Sequence, residues 1–262
     1  MSAALPLLSA CVKDELHDTP HPSHGAITVT ADWTDRGDDV NIPAEWTMTM
    51  GDYTGTETEE THTPDYLFAP GSYTLAAYNT PENITVSGTT ATVAPETGNG
   101  TYISNAPGWL FTSVQEVTVE ADTDYELTAA MHQQVRQLTL VIEPTGDAAG
   151  TLDFATGTYG AASDVALHFT KLTEGGDAGK WTATVQLLGI AGDTQRLTAT
   201  LTYADGNPAD TGLESDLTAA LADFNADKTV PLTLGGTIAE TPTEAGVEAG
   251  ITDWKAIKGD PV

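Results

Sequence analysis

The sequence predicts an all-β fold of sandwiches or barrels, and three observations support this prediction. Apolar residues alternate with polar ones at a period of two, as in Ile27, Val29, Ala31 and Trp33. Turn-forming glycine, proline and asparagine separate such runs at intervals of about 8 to 12 residues. Threonine, whose β-branched side chain suits a pleated surface, fills most of the outward positions.

The first predicted strand occupies residues 27–33, and the same alternation returns further along the chain. The later predicted strands are 73–78, 117–119, 138–142, 181–187, 197–203, 230–234 and 247–254. One stretch, 215–224, favours a short accessory helix instead. Ser215 stands where a helix N-cap is expected, and Leu217, Leu221 and Phe224 follow a helical spacing.

The charge of the chain limits its partners. The 262 residues include 9 Lys+Arg against 38 Asp+Glu, which gives a formal net charge of -29. Nucleic acids and anionic lipid surfaces both require a basic patch, so neither is expected as a partner. Hydrophobic residues make up 40% and charged residues 18% of the chain, a composition typical of a folded protein.

The length suits two domains, and the best boundary lies near residue 134. A cut there gives an N-terminal sandwich over 26–133 and a C-terminal sandwich over 134–262, each with enough predicted strands for its own core. No Lys or Arg occurs between Arg36 and Arg136, whereas 15 acidic residues do. The N-terminal sandwich must therefore be stabilised by burial and backbone pairing, with almost no salt bridges.

Cys11 is the only cysteine, so no disulfide can form within the chain. It ends the segment Leu8-Ser9-Ala10-Cys11, which resembles the bacterial lipobox. The resemblance implies that 1–10 is the remnant of a signal peptide and that Cys11 carries a covalent lipid as the sole membrane attachment. Residues 11–25, with two prolines, then form a lipidated tether. The alternative is an incidental cysteine near the terminus.

Lys13, Asp14 and Glu15 follow the cysteine closely. They resemble the signal that sends lipoproteins of Bacteroidetes to the outer face of the outer membrane, although a plain solvated tether would have a similar composition. His17, His21 and His24 lie on a proline-broken strip without the rigid spacing of a zinc site. No metal site and no cofactor other than the lipid are predicted.

The motifs of reactive sites are missing from the sequence. It contains no G-x-S-x-G, H-E-x-x-H or G-x-x-x-x-G-K-[ST] motif, so no catalytic residue and no small-molecule substrate are predicted. Two loop residues remain of interest. Arg36 follows the first predicted strand in a loop that a protease could reach, and Trp109 could stack on a sugar ring or close the end of a sandwich.

Several segments together resemble the FimB/Mfa2 fimbrial anchor family of Bacteroidetes. Besides the lipobox, they are 67–73, 107–111, 131–136 and 251–254. The resemblance implies two tandem transthyretin-like, Greek-key sandwiches and a non-enzymatic, lipid-anchored protein on the outer membrane. It further implies that fimbrial subunits are the protein partners, engaged through strand edges.

Three other hypotheses remain open at this point: a glycan-binding surface lipoprotein of a polysaccharide uptake system, a polymerising fimbrial stalk subunit and a secreted hydrolase. The stalk hypothesis depends on Arg36. Fimbrillins of this kind are thought to mature when an arginine-specific protease cuts the loop after their first strand. A cut at Arg36 would separate the body from Cys11, so an anchor must keep Arg36 uncleaved.

Overall fold

The computed structural model describes residues 23–93, 96–97, 101–103, 107–145, 152–153, 156–160, 164–190, 193–203, 211–243 and 246–257. The strands before residue 134 are β1 (Ala26–Asp32), β2 (Trp46–Met50), β3 (Tyr53–Glu57), β4 (Thr61–His62), β5 (Gly71–Tyr78), β6 (Ile84–Ser87), β7 (Thr90–Val93), β8 (Glu96–Thr97), β9 (Thr101–Ile103), β10 (Phe111–Val119), β11 (Asp124–Ala130) and β12 (His132–Gln133). Those after it are β13 (Arg136–Pro144), β14 (Leu152–Asp153), β15 (Thr156–Gly160), β16 (Asp164–His168), β17 (Thr170–Lys171), β18 (Trp181–Leu187), β19 (Arg196–Tyr203), β20 (Thr211–Asp216), β21 (Leu232–Thr243) and β22 (Gly246–Ala256). The predicted all-β fold is confirmed.

Two sheets enclose the first core. One has the strand order β11-β1-β4 and the other the order β12-β10-β5-β2-β3. Their inward side chains form a single apolar cluster, here called the N-terminal core, which includes Ile27, Val29, Trp46, Met48, Met50, Phe68, Leu75, Phe111 and Met131. Burial of each large apolar side chain contributes about 1.5 to 3 kcal/mol, which compensates for the scarcity of salt bridges in this part of the chain.

A second cluster, the C-terminal core, lies under the longest sheet, in which β13 runs between β18 and β21. The strand β13 is buried over most of its length, including the polar Thr139, and so on more than the one face that its alternation predicts. Strands β8 and β9 also join this sheet, through a parallel pairing of β9 with β16. The cluster includes Leu138, Leu140, Ile142, Trp181, Val185, Leu197, Leu213, Leu221, Phe224, Leu234 and Ile238.

The helix predicted over 215–224 is wrong. Ser215 lies in β20 and its hydroxyl donates to the carbonyl of Ile251 at 3.0 Å, so it is not free to cap a helix. The following residues form successive turns, with bonds from Leu221 N to Leu217 O at 3.0 Å, from Ala222 N to Ala219 O at 3.5 Å and from Phe224 N to Leu221 O at 2.9 Å. The structure contains no helix in its described residues, and therefore no helix there that could cross a membrane.

Candidate functional site

The first strand, β1, is the element on which the anchor hypothesis depends. It pairs in parallel with β11 along all seven of its residues and antiparallel with β4 at Val29 and Thr30. The side chains of Ile27, Val29 and Ala31 are at most 1% exposed. On the other face, the Thr30 hydroxyl is hydrogen-bonded to that of Thr61 at 2.9 Å. Hence β1 is a central strand held on both edges and by its inward face.

The loop that follows β1 is closed by the side chain of Arg36. Its guanidinium donates from Nη1 to the carbonyl of Trp33 at 3.0 Å and from Nε to the carbonyl of Val40 at 3.2 Å. At the start of the loop, the backbone N–H of Thr34 donates to Asp32 Oδ1 at 3.0 Å, and this bond lowers the pKa of the Asp32 carboxyl. The predicted protease-sensitive residue thus lies in an ordered loop, with its side chain folded back onto the backbone.

Gln133 fastens the same loop to the part of the chain beyond residue 134. Its Oε1 accepts the backbone N–H of Gly37 at 2.9 Å, while its Nε2 donates to the carbonyls of Val135 and Lys228, at 2.9 and 2.6 Å. A Cβ atom at Gly37 would lie 2.5 Å from the carbonyl oxygen of Thr229, so the close approach requires glycine. One buried amide therefore connects three segments that are distant in sequence. Gln133 thus joins the parts of the chain before and after residue 134, and this junction is here called the seam.

Arg136 lies beside this seam, with all of its contacts in the part after residue 134. Its guanidinium donates to the carbonyls of Val230 at 2.7 Å, Phe224 at 2.7 Å and Asp223 at 3.3 Å, and it lies over the Phe224 ring at 5.2 Å. Burial lowers the pKa of Arg136, partly offset by the charge of Asp227. The guanidinium thus supplies hydrogen-bond donors to the carbonyl groups of Asp223 and Phe224, which lie in the turns after β20.

Trp109 lies at the same seam. The ring is half-buried against the N-terminal core, and its Nε1–H donates to Gln186 Oε1 at 3.1 Å, while Gln186 Nε2 donates to the carbonyl of Pro107 at 2.7 Å. A small apolar cluster surrounds it, formed by Ile84, Val86, Ala91, Val93, Leu110, Val135 and Leu188. Stacking of Trp109 on a sugar ring stays a prediction. The contacts described above give the ring a structural role.

The other predicted site residues, Cys11, Lys13, Asp14 and Glu15, lie outside the described residues. Within the part of the chain that the structure describes, no group of three or more His, Cys, Asp or Glu side chains is arranged to hold a metal ion.

Sequence reasoning missed the roles of Gln133 and Arg136. Both stand in the segment 131–136, which contains the first arginine after Arg36. The first arginine after a long stretch without Lys or Arg was the available signal. Its acceptors lie 87 to 94 residues away in sequence, so only the fold identifies them.

The family of fimbrillin-A associated anchor proteins Mfa1 and Mfa2 matches the chain over residues 49–258. The chain belongs to this family. No curated protein matches the sequence.

Solved structures share the fold of this Mfa2-family chain. A candidate adhesin from Bacteroides ovatus has a TM-score of 0.58 at 16% identity and covers 93% of this chain and 98% of its own. The fimbrial anchor protein Mfa2 from Porphyromonas gingivalis has a TM-score of 0.57 at 11% identity, with 89% and 97% covered. A candidate polysaccharide-binding protein from Bacteroides thetaiotaomicron has a TM-score of 0.56 at 10% identity, with 90% and 99% covered. At these identities the likeness concerns the fold.

Family membership supports a cell-surface fimbrial accessory role and protein partners for this chain. The resemblance inferred from its sequence segments is confirmed by the family match.

Proposed function

We propose that the protein is a lipid-anchored, non-enzymatic fimbrial anchor or accessory subunit on the outer membrane. Cys11 carries the lipid, residues 11–25 form the tether, and two sandwich domains divided near 133/134 form the body. The two separate apolar cores on either side of that division support this organisation. Fimbrial subunits are the partners in this proposal.

The pairing of β1 is the observation that carries the proposal. An anchor must keep its lipidated end covalently joined to its folded body, and β1 is the first strand after the tether. Because β1 is hydrogen-bonded on both sides and buried on its inward face, it holds the tether against the N-terminal core. The closed Arg36 loop further supports a chain that stays intact.

Replacing Cys11 with alanine is expected to move the protein almost completely from the membrane fraction to the soluble fraction, because the thioether-linked lipid is its only proposed attachment. Serine at position 9 offers a matched control. Ser9→Ala leaves the thiol in place and should keep the protein with the membranes. Immunoblots of fractionated cells measure both. Membrane retention of Cys11→Ala would show that another attachment exists.

Changing Lys13, Asp14 and Glu15 together to alanine is expected to leave lipidation intact but to hide the body from protease added to whole cells. The reason is that these residues are proposed to direct export to the outer face. Protease shaving followed by immunoblotting measures the exposed fraction. If the body stays equally accessible to protease, the three residues are only a part of the tether.

A further inference from the structure

The strand β3 is an open edge of the five-stranded sheet. Among the described residues it pairs only with β2, to which the tight turn starting at Gly51 joins it. Gly51 has a φ of +57°, as such hairpin turns require at their first position. In a two-residue hairpin the flanking residues, Met50 and Tyr53, form a hydrogen-bonded pair. The backbone groups of Thr54 and Thr56 therefore point away from β2, towards the open side.

This edge lacks three of the features that prevent strand addition, and its one charged residue, Glu57, is held in an ion pair with His62 at 2.9 Å. Edge strands are commonly protected by lysine, proline or a β-bulge. The sequence of β3, Tyr-Thr-Gly-Thr-Glu, contains neither lysine nor proline, and its register with β2 is regular over all five residues. The backbone groups on its open side are therefore arranged as an added strand requires for pairing.

An exposed apolar surface lies beside the edge. Tyr66, which contacts Tyr53 of β3, and Leu67, its neighbour in the chain, are 39% and 44% exposed, although both are large apolar side chains. The ring of Tyr66 packs 5.6 Å from that of Tyr53 and 4.8 Å from that of Phe68. The hydroxyl of Tyr53 is in turn hydrogen-bonded to His62 Nε2 at 3.2 Å, which fixes the ring. Together, residues 53–57, Tyr66 and Leu67 are called the β3 edge below.

Apart from His62, which pairs with Glu57 at 2.9 Å, the charged residues that flank the β3 edge in sequence are acidic. Asp52, Glu59, Glu60 and Asp65 flank β3 in the sequence and are exposed, and the sequence has no Lys or Arg between Arg36 and Arg136. Arg36 itself is folded onto the carbonyls of its own loop. Two copies meeting through this edge would place like charges against each other, which disfavours self-association. A segment rich in lysine or arginine is favoured instead.

We propose that the β3 edge binds an extended, cationic segment of a partner protein by β-strand addition. The partner's backbone would pair with Thr54 and Thr56, its apolar side chains would cover Tyr66 and Leu67, and its basic side chains would meet the surrounding carboxylates. This inference rests on the proposed function as a fimbrial accessory subunit, because the bound segment would belong to a fimbrial partner protein. It leaves β1 in place.

The test uses the purified full chain and two synthetic peptides of alternating threonine and valine, one carrying lysines at its polar positions and the other glutamates. We expect fluorescence polarisation to show binding of the lysine peptide, weakened by added salt because exposed charges are screened. The glutamate peptide should bind at least about tenfold more weakly. Absence of measurable binding by the lysine peptide, or equal binding of both peptides, overturns the proposal.

Thr54 offers a matched pair of variants. Thr54→Pro removes an outward N–H while leaving the bonds to β2, whereas Thr54→Ala keeps that N–H. We expect Thr54→Pro to weaken binding of the lysine peptide about tenfold, from the lost donor and the bulk of the ring, and Thr54→Ala to change it less than about twofold. Thermal unfolding verifies that both fold. Equal affinity of the two folded variants places the peptide elsewhere and overturns the proposal.

A cellular arm separates this inference from the proposed function. In cells, the wild-type protein should co-purify with fimbriae, and Thr54→Pro should reduce this amount whereas Thr54→Ala should not. Co-purification of wild type and Thr54→Pro in equal amounts contradicts the β3 edge but leaves the anchor function standing. Absence of the wild-type protein from fimbriae contradicts the anchor function itself.

Discussion

Arg136→Ala is expected to lower the free energy of unfolding by about 3 to 5 kcal/mol. The substitution removes the donors of three carbonyl groups, those of Val230, Asp223 and Phe224, in a region where water cannot replace them all. It also removes the contact of the guanidinium with the Phe224 ring. Urea unfolding followed by tryptophan fluorescence measures the change.

Arg196 is the matched control for this prediction. Its side chain is 57% exposed and forms a surface ion pair with Glu214. Such pairs contribute about 0 to 1 kcal/mol, so Arg196→Ala should change the free energy of unfolding by less than about 1 kcal/mol. Equal losses for the two variants would mean that the contacts of Arg136 add nothing to stability beyond those of an ordinary surface arginine.

Val29→Asp is expected to reduce the free energy of unfolding by more than about 4 kcal/mol, because it places a carboxylate in the N-terminal core. Val29 is 0% exposed and lies between β11 and β4, where the residue opposite it on β4, His62, is already bound to Glu57 and to the Tyr53 hydroxyl. Thermal unfolding monitored by circular dichroism should show a lower unfolding temperature than that of the unchanged protein.

The neighbouring position provides the control for Val29. Thr28 points to the opposite, partly exposed face of β1, where its hydroxyl is hydrogen-bonded to that of Thr63 at 2.7 Å. Thr28→Ala should therefore cost less than about 1 kcal/mol. If Val29→Asp were tolerated as well as Thr28→Ala, β1 would not be a buried strand of the body.

Strands with a clear local alternation were predictable, whereas others, such as β2 and β3, were missed. A period of two in 26–32 or 181–187 records which side chains face a core, and the structure buries Ile27, Val29 and Trp181 as that period implies. The partners of a strand carry no such local signal. Nothing in the sequence of β1 shows that it pairs in parallel with β11, nearly a hundred residues later.

The failed helix shows why spacing alone is ambiguous. Leu217, Leu221 and Phe224 are all buried in the C-terminal core, as their spacing suggests. Successive turns can bury residues three and four apart just as a helix does. The deciding contacts were distant ones: Ser215 accepts the indole N–H of Trp254 at 2.8 Å and donates to Ile251, which keeps it in a strand.

Of the candidate site, the sequence identified the Arg36 loop and Trp109 but not what holds them. The contacts of Gln133 with Gly37 and Lys228 span 96 and 95 residues, and no pattern in one sequence predicts such pairs. The β3 edge was likewise hidden, because an edge strand differs from a central one only by the neighbour it lacks.

Mass spectrometry of the mature protein from cells tests the anchor account most directly. Digestion after glutamate avoids cutting at arginine and yields the peptide 16–45, which spans the bond between Arg36 and Gly37. The account predicts that this peptide is recovered intact and that the mature N-terminus is an acylated Cys11. A mature N-terminus at Gly37 would contradict it and would identify the protein as a stalk subunit that has lost its anchor.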